Sequence, residues 1–133
     1  MAKSVINPPE LFDSLQYGFS QIVVSQGTKT IHISGQVAWD ENEQVISKDD
    51  LREQVFKSLE NLKTALACAG ATMKDVISLR IYIVDSLINE SKGVKEGLMA
   101  YFPEHPPAST WIGVSGLAGD DLLVEIEATA VID

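Results

Sequence analysis

Alternating apolar and polar residues, which are typical of half-buried β-strands, occur in several parts of this chain. The alternation runs through residues 21–37, 77–84, 109–115 and 122–132. Within the first stretch, Gly27 and Thr28 supply a turn, so that stretch is predicted to form a β-hairpin. The other three stretches are each predicted to form one strand.

A helical spacing of apolar residues begins at Leu51. The apolar stripe consists of Leu51, Val55, Leu59, Leu62 and Leu66. Ser47 and Asp50 have the spacing of an N-terminal capping box, and Gly70 is placed to end the helix. We therefore predict one long amphipathic helix after the hairpin.

A second amphipathic helix is predicted between the strands at 77–84 and 109–115. Its apolar residues are Val94, Leu98, Tyr101 and Phe102. Gly93 and Gly97 lower its helix propensity by about 1 kcal/mol each relative to alanine, so packing must hold it in place. The order ββαβαββ predicts a single α+β domain over residues 1–133, with both helices on one face of an antiparallel or mixed sheet.

The composition argues against several classes of partner. The net charge is −9 and the ten Lys and Arg residues are scattered, whereas nucleic-acid binding depends on basic patches. No apolar run is long enough to span a membrane, and the first residues contain no secretory signal. We expect a cytoplasmic protein without nucleic-acid or membrane partners. The single cysteine, Cys68, is expected to be a buried thiol of the first helix.

Strand side chains point alternately to opposite faces of a sheet, so each predicted strand has an apolar row and a mixed row. The apolar rows, which should meet the helices, are Ile31/Ile33, Leu79/Ile81/Ile83, Ile112/Val114 and Val124/Ile126/Ala128. The mixed rows are His32/Ser34, Ser78/Arg80/Tyr82, Ser109/Trp111 and Leu123/Glu125/Glu127/Thr129. The mixed face is either solvated or covered by partner subunits. The large side chains of Trp111, Tyr82 and Leu123 favour partner subunits, with a ligand cleft between them.

Few polar residues define a reaction by themselves. Glu125 and Glu127 lie two apart on one strand, where carboxylates either perform acid–base chemistry or are solvated or salt-bridged. His32 and His105 have no Asp or Cys at metal-ligand spacing, so no metal site is predicted. The sequence also has no glycine-rich phosphate loop and no nucleophile elbow.

Short segments spread over nearly the whole chain resemble the Rid (RidA/YjgF-like) family. They are Ile33-Ser34-Gly35-Gln36, Gln54, Leu59-Glu60-Asn61-Leu62, Ala69-Gly70-Ala71, Asp75-Val76, Tyr101-Phe102, Pro107-Ala108 and Val124-Glu125-Ile126-Glu127-Ala128. They occur in the family's order and spacing. The resemblance implies a chorismate mutase-like fold, a homotrimer, and small-molecule clefts between the subunits.

One position departs from the pattern of the family's imine hydrolases, in which an arginine directly after the Pro-Ala element binds the substrate carboxylate. Here that position is Ser109, whose hydroxyl has neither the charge nor the bidentate geometry of a guanidinium. Arg80, on the same predicted face, is a candidate replacement. Trp111 predicts a reshaped cleft.

The resemblance implies Glu125 as the catalytic residue, because it matches the residue proposed to orient the attacking water. The implied ligand-binding residues are Tyr17, Ser34, Gly35, Arg80, Ser109, Thr110 and Trp111. No cofactor is expected. Two functions stay open: a divergent enamine or imine hydrolase (deaminase) with an altered substrate, and a non-catalytic ligand-binding or regulatory module. An RNase activity, also attached to the family's name, conflicts with the acidic charge.

Overall fold

The computed structural model describes residues 2–133. The described chain has six strands and two α-helices, in the order βββαβαββ. The elements are β1 (Ala2–Ile6), β2 (Ile22–Gln26), β3 (Lys29–Gln36), α1 (Leu51–Cys68), β4 (Val76–Val84), α2 (Lys92–Tyr101), β5 (Ala108–Val114) and β6 (Val124–Ile132). Both helices pack on a mixed sheet, which confirms the predicted α+β class.

The main sheet has four strands in the order β3-β6-β4-β5. Strand β6 is antiparallel to both of its neighbours, and β4 and β5 are parallel. Strands β1 and β2 form a separate antiparallel pair. The main sheet therefore combines both kinds of pairing, as the element order allowed.

The predicted hairpin over residues 21–37 is wrong, because its two arms belong to different sheets. Strand β2 pairs with β1, which the sequence reading had missed, while β3 pairs with β6. At the junction, the Thr28 amide donates to the Ile132 carbonyl at 3.0 Å. A Cβ on Gly27 would lie only 2.8 Å from that same carbonyl oxygen. This close approach to β6 carries the chain from one sheet into the other.

Helix α1 begins after Asp50, whose side chain accepts a hydrogen bond from the Glu53 amide at 3.0 Å. Asp50 is thus the N-cap, and the predicted capping box starting at Ser47 is not formed. Gly70 follows the helix in the left-handed conformation, with φ of 78°, as its predicted capping role requires.

Both glycines of α2, where its helix propensity is lowest, lie in close contact with α1. A Cβ on Gly97 would lie 2.6 Å from Val55 Cγ1, and one on Gly93 would lie 2.8 Å from the Arg52 Cα. The absence of a side chain at these glycines therefore permits close helix packing, although it lowers the helix propensity of α2. Val94 and Leu98, on the same helix, are fully buried.

The core lies between the helices and the sheet. It contains the predicted α1 stripe together with alternate residues of β4 and β6, namely Leu79, Ile81, Ile83, Val124, Ile126 and Ala128. Cys68 is exposed, so its predicted burial is wrong. It lies at the end of α1 and outside the apolar stripe. Within residues 2–133, no helix is long and apolar enough to cross a membrane.

Candidate functional site

The sheet face opposite the helices carries polar residues of β4 and β6 in register. Tyr82 pairs with Glu125, and Arg80 pairs with Glu127. The Tyr82 hydroxyl donates a short hydrogen bond to the Glu127 carboxylate, and this bond is the main cause that raises the pKa of Tyr82. Arg80 is exposed and forms no ion pair with any residue in the range 2–133.

The side chains of β5 lie on the opposite faces of the sheet from those predicted. Ser109 pairs with Leu79, and Trp111 pairs with the fully buried Ile81. Paired residues on neighbouring strands share a face, so Ser109 and Trp111 lie on the helix side of the sheet, and Thr110 joins Arg80 on the other side.

Trp111 has partners that explain this orientation. Its indole N–H donates to Ser109 Oγ at 3.1 Å, and its ring lies 5.8 Å from the Phe19 ring, centroid to centroid. Trp111 also packs against the hydrophobic core. Burying the indole favours this side of the sheet over the exposed side, and the smaller Ile112 takes the opposite face.

A β-bulge brings Gly35 and Glu125 together. Between Ile33 and Gln36 the register of β3 against β6 shifts, and such a bulge leaves backbone groups outside the regular ladder. A Cβ on Gly35 would overlap the Glu125 carboxylate and would lie 2.6 Å from its Cδ. The missing side chain at Gly35 therefore makes the space that the Glu125 side chain occupies.

Gly35 and Glu125 line one cleft of about 740 Å³, here called the Glu125 cleft. Its other lining residues come from the end of β3 and the following loop, from α1, and from the loop before β6. They are Gln36, Val37, Trp39, Asp40, Glu41, Lys57, Asn61, Thr64, Ala65, Ala118 and Leu122. The lining of the cleft thus includes three carboxylates, one aromatic ring and one lysine.

The contribution of α1 to this cleft was missed by the sequence reading. The Asn61 side-chain amide donates to the carbonyls of Val37 at 2.9 Å and Trp39 at 3.0 Å, which fixes the loop after β3. Lys57, another residue of α1 that lines the cleft, lies outside the apolar stripe of the helix. Asn61 lies in one of the segments that resemble the Rid family, which was the available signal for it.

The other predicted ligand-binding residues do not lie in the Glu125 cleft. Arg80, Ser109 and Thr110 line a second cleft of about 220 Å³, here called the Arg80 cleft. Tyr17 lies in a 3₁₀ turn, Leu15–Tyr17, and is 43% exposed. Ser34 is exposed beside the bulge. Within one chain, the predicted site is therefore divided into two parts.

Another cleft, of about 600 Å³, includes Lys3, Tyr101 and His105 and lies apart from the predicted residues. No group of three or more His, Cys, Asp or Glu side chains in the described range is arranged to hold a metal ion.

Comparisons with known proteins identify the class of small α+β proteins to which this fold belongs. A family model described as Endoribonuclease L-PSP matches residues 14–132. A crystal structure of a Rid family protein of unknown function from Yersinia pestis is 40% identical, with a TM-score of 0.93 over 99% of this chain and 100% of that chain.

Curated relatives agree with this assignment. The chain is 36% identical over 100 residues to a RutC family protein of Pyrococcus abyssi, covering 75% of this chain and 76% of the relative. It is 30% identical over 109 residues to the 3-aminoacrylate deaminase RutC of Acinetobacter baylyi, covering 82% of this chain and 84% of the relative. This chain belongs to the Rid family, which the matched model describes as Endoribonuclease L-PSP.

Proposed function

We propose that this protein is a homotrimeric enamine or imine hydrolase that binds a small metabolite in clefts shared between subunits. The observation that carries the proposal is the placement of Glu125 and Gly35 in one cleft. The similarity to a 3-aminoacrylate deaminase supports this class of reaction. Glu125 is the proposed catalytic residue.

The proposed reaction needs only a polarised C=N bond and a positioned water, because an imine carbon is already electrophilic. Glu125 accepts a proton from water as the oxygen bonds to the imine carbon, and it then gives this proton to the nitrogen. The resulting carbinolamine loses ammonia as its C–N bond breaks, its hydroxyl proton passes through Glu125 to the leaving nitrogen, and a carbonyl forms. An enamine would first take a proton on carbon to become the imine.

The trimer is proposed because the surface of one chain carries many exposed apolar groups. They are concentrated in the N-terminal third of the chain and include Ile6, Leu11, Phe12, Leu15, Tyr17, Ile22 and Val24. Apolar surface of this extent is typical of protein contacts, and closed symmetric contacts are the usual form. We propose that the Arg80 cleft of one chain completes the site at the Glu125 cleft of its neighbour, because the residues that resemble one family site are divided between these two clefts within a single chain.

Ammonia release tests the catalytic proposal. The substrate would be a 2-aminoacrylate-type imine generated continuously in a coupled assay, and the variants would be Glu125→Gln and the matched control Glu127→Gln. We expect Glu125→Gln to lower kcat by about 100- to 10,000-fold, the usual contribution of a general base. Glu127→Gln should have a much smaller effect, because its carboxylate is held by Tyr82. Equal rates for wild type and Glu125→Gln would contradict the proposal.

A ligand-binding or regulatory module without turnover is the second candidate. Trp39 favours it, because an aromatic ring in the Glu125 cleft provides a stacking surface that needs no reaction. If the wild-type chain releases no ammonia but binds a small ligand that quenches Trp39 fluorescence, the binding module replaces the hydrolase. Trp39→Phe would check that the fluorescence signal comes from this residue.

A further inference from the structure

The cleft that includes Lys3 and His105, here called the Lys3 cleft, shares no lining residue with the Glu125 cleft or the Arg80 cleft. It is lined by Lys3 of β1, by the 3₁₀ turn Met73–Asp75 before β4, and by residues 101–105 at the end of α2 and after it. Its volume of about 600 Å³ is within the range of small-molecule sites. Three distant parts of the chain therefore enclose a space of ligand size.

One part of the lining of the Lys3 cleft is apolar. Phe102 belongs to the hydrophobic core, and Met73 and Tyr101 pack against that core. The Tyr101 hydroxyl already donates its proton to Glu60 at 2.7 Å, so Tyr101 has its ring rather than its hydroxyl proton to offer a ligand. These side chains suit the apolar body of a small molecule.

Lys3 supplies a partly buried positive charge. Its ammonium group donates to the carbonyls of Val76 at 2.8 Å and Lys74 at 3.4 Å. No carboxylate among residues 2–133 forms a salt bridge with it. Burial lowers the pKa of Lys3, and the charge of Asp75 opposes this effect only in part. Two carbonyl dipoles replace lost hydration without neutralising the charge, so a ligand anion would supply the missing counter-charge.

The other charges of the Lys3 cleft compete weakly for this role. The Asp75 carboxylate is engaged in its own turn, where Oδ2 accepts from the Thr72 amide at 2.8 Å and closes a capping box. The remaining charged or titratable lining residues are exposed, and solvent screens them: Lys74, Glu104 and His105. The partly buried ammonium group of Lys3 is therefore the position where an anion gains most.

We propose that the Lys3 cleft is a second ligand site, which binds a small carboxylate with an apolar, ring-sized body. The carboxylate pairs with the Lys3 ammonium group, and the apolar body packs against Met73, Tyr101 and Phe102. Both parts of the ligand are needed, because an ion pair at a partly wet site contributes little without apolar burial beside it. Binding here does not depend on the reaction proposed for the Glu125 cleft.

Nuclear magnetic resonance of methionine methyl groups tests the location of this site, with benzoate as the probe. Met73 lines the cleft, whereas Met99 of α2 is exposed and lies outside it, so Met99 is an internal control. We expect the Met73 methyl signal to shift and to saturate with a Kd of about 1 mM or lower, and the Met99 signal to stay unchanged. No saturable shift of Met73 at about ten times that concentration would overturn the proposal.

Two analogues of the probe separate its charge from its ring. Benzyl alcohol has the ring without the charge, and acetate has the charge without the ring. Each should bind at least about 10-fold more weakly than benzoate, because each lacks one of the two contacts. Benzyl alcohol that binds as tightly as benzoate would contradict the role of Lys3.

Variants of Lys3 test the ion pair by calorimetry. Lys3→Gln keeps a donor for the Val76 carbonyl but removes the charge, and it should weaken benzoate binding about 10- to 100-fold. Lys3→Arg should restore most of this loss because it keeps the charge. Lys29→Gln is the matched control, since Lys29 is an exposed strand lysine outside the cleft, and it should leave the affinity unchanged.

A second variant keeps the proposal testable if Lys3→Gln disturbs β1. Met73→Trp leaves Lys3 in place and should fill the cleft, so benzoate binding should be lost. The proposal is overturned if either Lys3→Gln or Met73→Trp binds benzoate as tightly as the wild type, or if Lys29→Gln weakens binding as much as Lys3→Gln does. Ammonia release plays no part in these measurements, so a failure of the proposed hydrolase would leave the second site standing.

Discussion

Glu125 occupies the space above Gly35 that any other residue at position 35 would fill. An added Cβ would overlap the carboxylate, which must then move away from its present position. We predict that Gly35→Ala lowers kcat/KM about 100-fold, because small displacements of a catalytic group have effects of this size. Stability should change by no more than about 1 kcal/mol, since the displaced atoms are the end of a flexible side chain.

Ammonia release and urea unfolding of the same variant would check both parts of this prediction. Gly116→Ala is the control, because nothing lies within 4 Å of a Cβ at that position. An active Gly35→Ala variant would mean that the position of the Glu125 carboxylate is not important for function.

Among single residues, the family resemblance put Gly35 and Glu125 in one site, and the two residues do lie together. The strand period, in contrast, led to Ser109 and Trp111 being predicted on the wrong face. The two-residue period of a strand gives two rows but does not say which row is buried. Ile112 and Val114 were predicted to be the buried row because both are apolar. The choice was decided by Phe19, which packs on Trp111 from a distant part of the sequence.

A hydrogen bond from Tyr101 of α2 to Glu60 joins the two helices. Burial, and then this hydrogen bond, raise the pKa of Tyr101 to about 12. Because the folded-state pKa lies above the ordinary value of 10.0, the folded state favours the protonated hydroxyl. The resulting stability is fully present below about pH 10 and is lost as the pH rises towards 12.

We therefore predict that the free energy of unfolding of the wild-type chain falls between about pH 10 and 12, and that it falls less in Tyr101→Phe. Urea unfolding at pH 9 and at pH 11.5 would measure the difference. Tyr17→Phe is the control, because Tyr17 lies outside this contact and is 43% exposed. The same pH dependence in wild type and Tyr101→Phe would contradict the role of this hydrogen bond.

Both helices were predictable from apolar spacing, and so were the strands from β2 onwards, because each carries its own periodic signal. Strand β1 was missed because it is short and is soon followed by Pro8 and Pro9. Its partner in the sheet is β2. The role of α1 in the Glu125 cleft could not be predicted, since it depends on the bulge at Gly35 and on the loop that Asn61 holds. Such contacts join distant parts of the chain and leave no local pattern.

The proposed site would become complete only when chains assemble, because its two parts are separate within one chain. The Glu125 cleft and the Arg80 cleft are separate in one chain, and the exposed apolar residues of the N-terminal third are available for contacts with another. We expect light scattering to give about three times the chain mass of 14.5 kDa. In the proposed trimer, each site would combine Glu125 of one chain with the open Arg80 cleft of its neighbour.

Mixed trimers test this shared site most directly. Glu125→Gln removes the proposed catalytic carboxylate, and Thr110→Trp should fill the Arg80 cleft. Each variant alone should therefore be a trimer with little activity. When the two are unfolded together and refolded at equal amounts, about one quarter of the sites should combine an intact Glu125 with an open neighbouring cleft. We predict that ammonia release recovers to about that fraction of the wild-type rate. Activity in the mixture no greater than the average of the two variants, with trimers intact, would contradict a site shared between chains.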